Sequence, residues 1–125
     1  MNAARVYQRT QVMTASRERA LVLLFDAAEA DLRGGTEALL LGQGDHAARQ
    51  LGRAHAIVTE LLDSLQHHAA PALCKELSDV YVFVLGRILK ARACGDAQPC
   101  KEALRVLSPV ADAFRTLAQA AAVGP

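Results

Sequence analysis

The stretch HAARQLGRAHAIVTELLDSL, residues 46–65, decides the fold class. Its apolar residues recur three or four positions apart, and most of the positions between them are polar. This spacing places the apolar side chains on one face of a helix with 3.6 residues per turn, and it does not alternate as a half-buried strand does. We therefore predict an amphipathic α-helix. Its apolar stripe consists of Ala47, Leu51, Ala54, Val58, Leu61 and Leu65.

The same period appears on both sides of this stretch and predicts three more helices. Helices of roughly 20 residues with short connections favour antiparallel neighbours. The fold class is therefore predicted to be all-α, an antiparallel up-down four-helix bundle with an extended N-terminal arm. The whole chain, residues 1–125, is predicted to form one domain, with the arm over 1–15 and helices roughly over 17–41, 46–67, 71–94 and 99–122.

Turn and capping residues support these boundaries. Ser16 and Asp45 are plausible N-caps of the first and second helices, and Pro71 suits the first turn of the third. Two features conflict with the pattern, since Gly34-Gly35 and Pro109 fall inside predicted helices. Whether they break or only kink their helices remains open at this level.

Composition excludes several classes of function. The chain has 125 residues, of which 52% are hydrophobic and 4% aromatic, with a formal net charge of +1. Neither a nucleic-acid interface nor membrane insertion is expected, because there is no strongly basic module and no apolar run of about 18 residues. The N-terminus lacks the apolar core of a signal peptide, and the three cysteines form no Cys-x-x-Cys pair. Both features favour the reducing cytoplasm.

Catalysis and metal binding have little support in the sequence. No Glu is followed three residues later by His, as a di-iron bundle requires, and no four Cys and His residues have zinc-like spacing. No cofactor is expected. His55 is the best candidate for a reactive group, as in a histidine phosphotransfer domain, but Val58 and Thr59 stand where that domain has Lys and Gly. A helix-packing or surface histidine is the simpler interpretation.

The third predicted helix contains VYVFVLGRIL, residues 80–89, which is apolar on nearly every side. A surface helix of a bundle needs one apolar face. Two interpretations follow and stay open: the helix is fully covered by the rest of the bundle, or part of it forms a hydrophobic groove for a partner.

Several of these segments together resemble the flagellin-specific export chaperones of the FliS family. The opening signature is Tyr7-Gln8, Val12 and Thr14-Ala15-Ser16. LLFDAAEADL, beginning at residue 23, is similar to a stretch of that family's first helix, and RAHAIVTELLDSL, beginning at residue 53, is similar to a segment of its second. The resemblance covers residues 5–118.

This resemblance implies a cytosolic chaperone that is not an enzyme. Its client would be the disordered C-terminal region of flagellin, held in hydrophobic surface grooves to prevent premature polymerisation and to aid type III flagellar export. The flagellar export gate is a further partner that the resemblance allows. The alternatives are a histidine phosphotransfer-like bundle and a generic helical adaptor.

We predict ten residues to bind the partner, although each can instead belong to the core. On the arm, the choice between a displaceable lid and a simple cap on the first helix also stays open. The ten residues are Tyr7, Val12, Leu24, Phe25, Ile57, Leu61, Tyr81, Val84, Leu85 and Ile88.

Overall fold

A computed structural model describes the backbone of residues 3–123 and the side-chain surroundings of residues 17–122. Over this range the chain is helical, without strands, and the helices pack on one another. The prediction of an all-α four-helix fold is therefore confirmed. The helices are α1 (Ala3–Leu40), α2 (Gly44–Asp63), α3 (Pro71–Cys94) and α4 (Gln98–Val123).

The topology follows from the connections. Residues 41–43, 64–70 and 95–97 join successive helices, and links this short make neighbouring helices antiparallel. Helix α1 packs against α2 and α4, and α3 packs against the same two helices. The result is an up-down bundle with α1 and α3 at opposite corners.

Each helix buries one face in a common core. On α2 this face is the predicted stripe as far as Leu61, whereas Leu65 lies beyond the helix end and is half-buried. Phe25 of α1 lies at the aromatic centre of the core, with its ring centroid 5.1 Å from that of Phe114 and 6.4 Å from that of Tyr81. Burying such side chains provides the main driving force for folding.

The N-terminal segment differs from the expectation. Residues 3–15 were predicted to form an extended arm, but α1 begins at Ala3 and is continuous to Leu40. Ser16 consequently lies inside a helix and does not occupy an N-cap position. The physical reason is that residues 3–33 contain neither Gly nor Pro and are rich in Ala, Arg, Gln and Leu, which propagate a helix well. Residues 1, 2, 124 and 125 lie outside the described range.

The other helix ends show their own chemistry. Gln43, not Asp45, is the N-cap residue of α2, and no side chain caps it. Pro71 occupies the first turn of α3, and Gly95, the C-cap residue that follows the helix, has the left-handed conformation with φ 64°. At the start of α4 the Asp96 carboxylate accepts a hydrogen bond from the backbone N–H of Gln98 at 2.9 Å.

Neither of the two helix-breaking features interrupts its helix. Helix α4 continues through Pro109, and α1 continues through Gly34-Gly35. At Gly35 an added Cβ would lie 2.5 Å from Leu51 Cδ2 and 2.8 Å from Leu51 Cγ. The glycine pair thus lets α2 approach the α1 backbone closely, at the level of Gln50 and Leu51.

Candidate functional site

The outward side of α3 carries large apolar side chains that no other helix covers. Val82 is 55% exposed, Phe83 43% and Leu89 52%. Tyr81, Val84 and Ile88 belong to the core. Because helical geometry turns successive residues to different sides, the adjacent residues Val82, Phe83 and Leu89 point away from the core. We call Val82, Phe83 and Leu89 the outer face of α3.

The outer face of α3 reaches towards both neighbouring helices. Arg92 is directed towards Gly52 of α2, and Leu85 lies seven residues before Arg92, on the same side of the helix. On the opposite flank, Arg87 pairs with Glu102 of α4 at 3.2 Å. Its guanidinium lies 5.5 Å from the centroid of the Phe83 ring. Half-buried Leu85 therefore belongs to the α2–α3 seam, and Phe83 lies towards α4.

A second candidate lies at the end of the bundle where α2 stops. It is a half-open cavity of about 310 Å³, walled mainly by apolar groups, with polar side chains among its lining residues. All four helices, or the residues just after them, contribute to it. The lining residues are Arg17, Ala20, Leu21, Leu24, Ser64, Leu65, Gln66, Tyr81 and Phe114.

The cavity lies where α1 extends beyond the ends of the neighbouring helices α2 and α4. Arg53 of α2 pairs with Asp31, and α2 ends ten residues further on, level with about residue 21 of antiparallel α1. Arg115 of α4 pairs with Asp26, and α4 ends eight residues beyond it, level with about residue 18. Because α1 has 38 residues, or about 57 Å of helix, its first turns extend past the ends of α2 and α4.

A charged cluster joins α1 to α4 beside the Phe25–Phe114 stack. The Arg115 guanidinium donates to Asp26 Oδ1 at 3.0 and 2.7 Å, to Asp112 Oδ1 at 2.7 Å and to Glu29 Oε2 at 3.1 Å. Glu29 is 5% exposed and also accepts from Arg33 at 3.3 Å. These hydrogen bonds, those to Asp26 above all, raise the pKa of Arg115 above its ordinary value, so the Arg115 guanidinium stays protonated.

Two buried groups have shifted acidity. Burial, with a smaller contribution from Cys74, raises the pKa of Tyr81 to about 12. Burial also raises the pKa of the Cys100 thiol, against the effect of its hydrogen bond with Thr36. Both shifts favour the neutral forms and therefore indicate structural groups rather than a nucleophile or a general base.

The structure distributes the ten predicted binding residues over several places. Tyr7 and Val12 have helical backbone, but their side chains lie outside the described surroundings. Leu24, Ile57 and Leu85 are half-buried at the edge of the core. The other five are core side chains, and one of them, Tyr81, also lines the cavity. These five are Phe25, Leu61, Tyr81, Val84 and Ile88.

The predicted residues do not form one groove. Leu24 and Tyr81 do meet, because both line the cavity. Ile57 follows Arg53 by four residues and so shares the side of α2 that faces α1, whereas Leu85 lies in the seam on the other side of α2. Among the described residues, the predicted set thus touches at least two separate surfaces.

None of the ten predicted residues lies on the outer face of α3, although the sequence contains a signal for that face. The run over residues 80–89 contains more apolar residues than one helix face needs. The predicted residues Tyr81, Val84 and Ile88 lie on the buried side of this helix, and Leu85 is half-buried beside them. Val82, Phe83 and Leu89 are the positions that the helical phase would have selected.

Other chemistry is not assembled in the described part of the chain. No group of three or more His, Cys, Asp and Glu residues there can hold a metal ion. His55 is half-buried, and its backbone carbonyl accepts a 2.8 Å hydrogen bond from Thr59. Over residues 3–123 no helix combines the length and the hydropathy that crossing a bilayer demands.

Comparison with known proteins gives two matches. The sequence model of the family described as "Flagellar protein FliS" matches residues 1–121. The "Flagellar secretion chaperone FliS" of Salmonella typhimurium is 29% identical over 119 residues. That alignment covers 91% of this chain and 85% of the Salmonella protein.

Proposed function

This chain belongs to the FliS family, and from that premise we propose that it is a cytosolic export chaperone for flagellin. The membership and the similarity to a flagellar secretion chaperone support a flagellar export chaperone. FliS is a chaperone family and not an enzyme family, so the chain is not an enzyme. The proposed client is the disordered C-terminal region of flagellin.

The observation that carries the proposal is the outer face of α3. Three large apolar side chains are about half exposed on the outer side of this helix, Val82 and Phe83 on one turn and Leu89 two turns further on. Exposed apolar groups that cluster in this way mark a binding surface more often than scattered ones do. A client segment that covers them would remove that area from water and gain about 25 cal/mol per Å².

The binding mode follows from the helical surface. Amphipathic segments of the client would fold into helices as they bind along the seams beside α3, with apolar residues one turn apart entering the furrows. Ordering a disordered segment costs conformational entropy, which offsets part of the gain and keeps the complex reversible. Reversible binding suits a protein that must hold its client before export and then release it.

Coverage of the client also explains how premature polymerisation would be prevented. A segment folded against α3 is unavailable for association with other flagellin molecules. Release would then occur at the flagellar export gate, the second partner in this proposal. Both events would take place in the cytoplasm, before the client is exported.

Co-purification with flagellin tests the proposal. Tagged chaperone is mixed with full-length flagellin and with flagellin that lacks its C-terminal tail, and the bound fraction is measured for each. Retention of the full-length protein together with loss of the truncated one is expected. Equal retention of both would place the binding site on another part of flagellin, and retention of neither would contradict the proposed client.

A further inference from the structure

We propose that the cavity at the end of the bundle is an anchor pocket for one large apolar side chain of the client, with an acidic client residue pairing with Arg17. This rests on the proposed function, because it assigns the occupant of a site on the same chaperone. It adds a defined pocket, residue chemistry and a charge preference to the apolar surface on α3.

The size of the cavity suits a side chain. Its volume of about 310 Å³ reaches the range of about 300–1,000 Å³ that small-molecule pockets span, so a large apolar side chain has room to enter. The walls include Leu21, Leu24, Leu65 and the rings of Tyr81 and Phe114. A leucine, methionine or phenylalanine side chain entering from a partner helix would be surrounded by apolar groups, as binding hot spots generally are.

The walls are also held in place. Phe114 stacks on Phe25 at 5.1 Å, and the adjacent Arg115 binds α1 through Asp26 and Glu29. Tyr81 is 2% exposed and packs on Phe25 from α3. A pocket whose rings are fixed in advance loses little entropy when it is occupied, which favours affinity.

The position of the cavity leaves room for a partner helix. It opens where α1 continues past the ends of α2 and α4, so the first turns of α1 lie beside the opening. A client helix that packs alongside these turns can project one side chain into the cavity and continue along the bundle. Ala20 lies at the junction; it is exposed and lines the cavity.

Charge selects the kind of client segment. Exposed Arg17 lines the cavity, and the first 20 residues contain four arginines, at positions 5, 9, 17 and 19, against the single acidic residue Glu18. A complementary partner carries carboxylates next to its apolar anchor, which improves both recognition and the rate of encounter. The occupant is therefore an acidic amphipathic segment of flagellin.

A matched pair of substitutions tests the pocket. Ala20→Leu adds three carbons at an exposed position that lines the cavity, whereas Ala27→Leu makes the same change two turns further along α1, at an exposed position outside it. Titration with the C-terminal segment of flagellin is expected to show at least tenfold weaker binding for Ala20→Leu and a change below twofold for Ala27→Leu. Equal affinities of the two variants would overturn the pocket.

A second pair tests the charge. Arg17→Glu is expected to weaken binding of the same segment several-fold more than Arg19→Glu, which makes an identical change in net charge. The difference should shrink in high salt, because salt screens exposed charges. Equal effects of the two variants would mean that general attraction, not pairing at the cavity, accounts for the preference.

A spectroscopic readout separates occupation of the pocket from an indirect effect. With labelled leucine methyl groups, the flagellin segment should shift the signals of Leu24 and Leu65 and leave Leu40, at the opposite end of the bundle, unmoved. Wild-type binding without shifts at Leu24 and Leu65 would overturn the pocket while the proposed function stands. If the wild-type protein does not bind the segment at all, the proposed function fails first and the pocket loses its occupant with it.

Discussion

Helices α2 and α3 are of similar length and belong to the same bundle, yet they present different outer surfaces. Within Gly44–Asp63, all of it described, α2 exposes no large hydrophobic side chain. Helix α3 exposes Val82, Phe83 and Leu89, and also Leu73 near its start. One apolar face satisfies the packing of each helix, so the additional apolar surface of α3 is not required by the fold, and it is the surface to which we assign the proposed client.

Two phenylalanines give the largest expected contrast between packed and unpacked surface. Phe25→Ala removes a fully buried ring that contacts Tyr81 and Phe114 and should lower the free energy of unfolding by about 3–5 kcal/mol. Phe83→Ala, on the outer face of α3, should cost at most about 1 kcal/mol. Urea unfolding of both variants measures the difference. Similar losses would mean that Phe83 is part of the core, and the contrast between the helices would disappear.

The glycine pair sharpens the packed side of the comparison. Gly35→Ala should reduce stability by about 1–2 kcal/mol, since its Cβ meets Leu51 Cγ at 2.8 Å and overpacking outweighs the gain in helix propensity. Gly34→Ala meets only the end of the flexible Gln50 side chain and should be neutral or up to about 1 kcal/mol stabilising. Thermal melts distinguish the two, and an order opposite to this would contradict the close approach of α2 to α1.

Most of the fold could be predicted from the sequence because it depends on periodicity. The stripe from Ala47 to Leu61 specifies both the helix and its buried face. The start of α1 could not be predicted in the same way, because residues 3–16 lack an apolar stripe, whereas helix propensity and the absence of Gly and Pro act without one. The continuity of α1 through Gly34-Gly35 depends on a tertiary contact with Leu51, which local sequence does not contain.

The charged cluster predicts a smaller effect. Arg115→Met keeps roughly the length of the side chain but removes the hydrogen bonds to Asp26 and Glu29. Among the described residues, the carboxylate of buried Glu29 then keeps Arg33 as its hydrogen-bond partner. A loss of about 1–2 kcal/mol is expected, because the cluster is partly exposed. Lys75→Met, which breaks the exposed pair with Asp79, is the control and should change stability by less than about 0.5 kcal/mol. Urea unfolding measures both variants, and equal losses of unfolding free energy would contradict a stabilising role of the cluster.

Alkaline pH tests the burial of α3 on its inner side. The pKa of Tyr81 is raised from 10.0 to about 12, so the folded state keeps a proton that the unfolded state loses. The contribution of Tyr81 to stability is therefore fully present below about pH 10. The free energy of unfolding falls as the pH rises from 10 towards 12, by about 1 kcal/mol at pH 11. Tyr81→Phe should flatten this decline. A decline that stays unchanged in the variant would assign it to other groups.

The site was less predictable than the fold, for a physical reason. An apolar residue in an all-round apolar run can face the core or the solvent, and only the phase set by packing decides between Tyr81 and its neighbour Val82. The cavity likewise requires Leu24, Leu65, Tyr81 and Phe114 from distant parts of the chain to meet. The sequence showed that α3 has excess apolar surface but did not show which residues provide it.

The most direct test of the central claim replaces two residues on the outer face of α3. Val82 and Leu89 are changed together to Gln, with Leu40 and Leu41, which are at least as exposed, changed together to Gln as the control. Calorimetric titration with the C-terminal segment of flagellin should show at least tenfold weaker binding for the α3 double variant, with its melting temperature and helical circular dichroism unchanged, and near wild-type binding for the control. Wild-type affinity in the α3 variant would contradict the claim that this surface exists to bind a client.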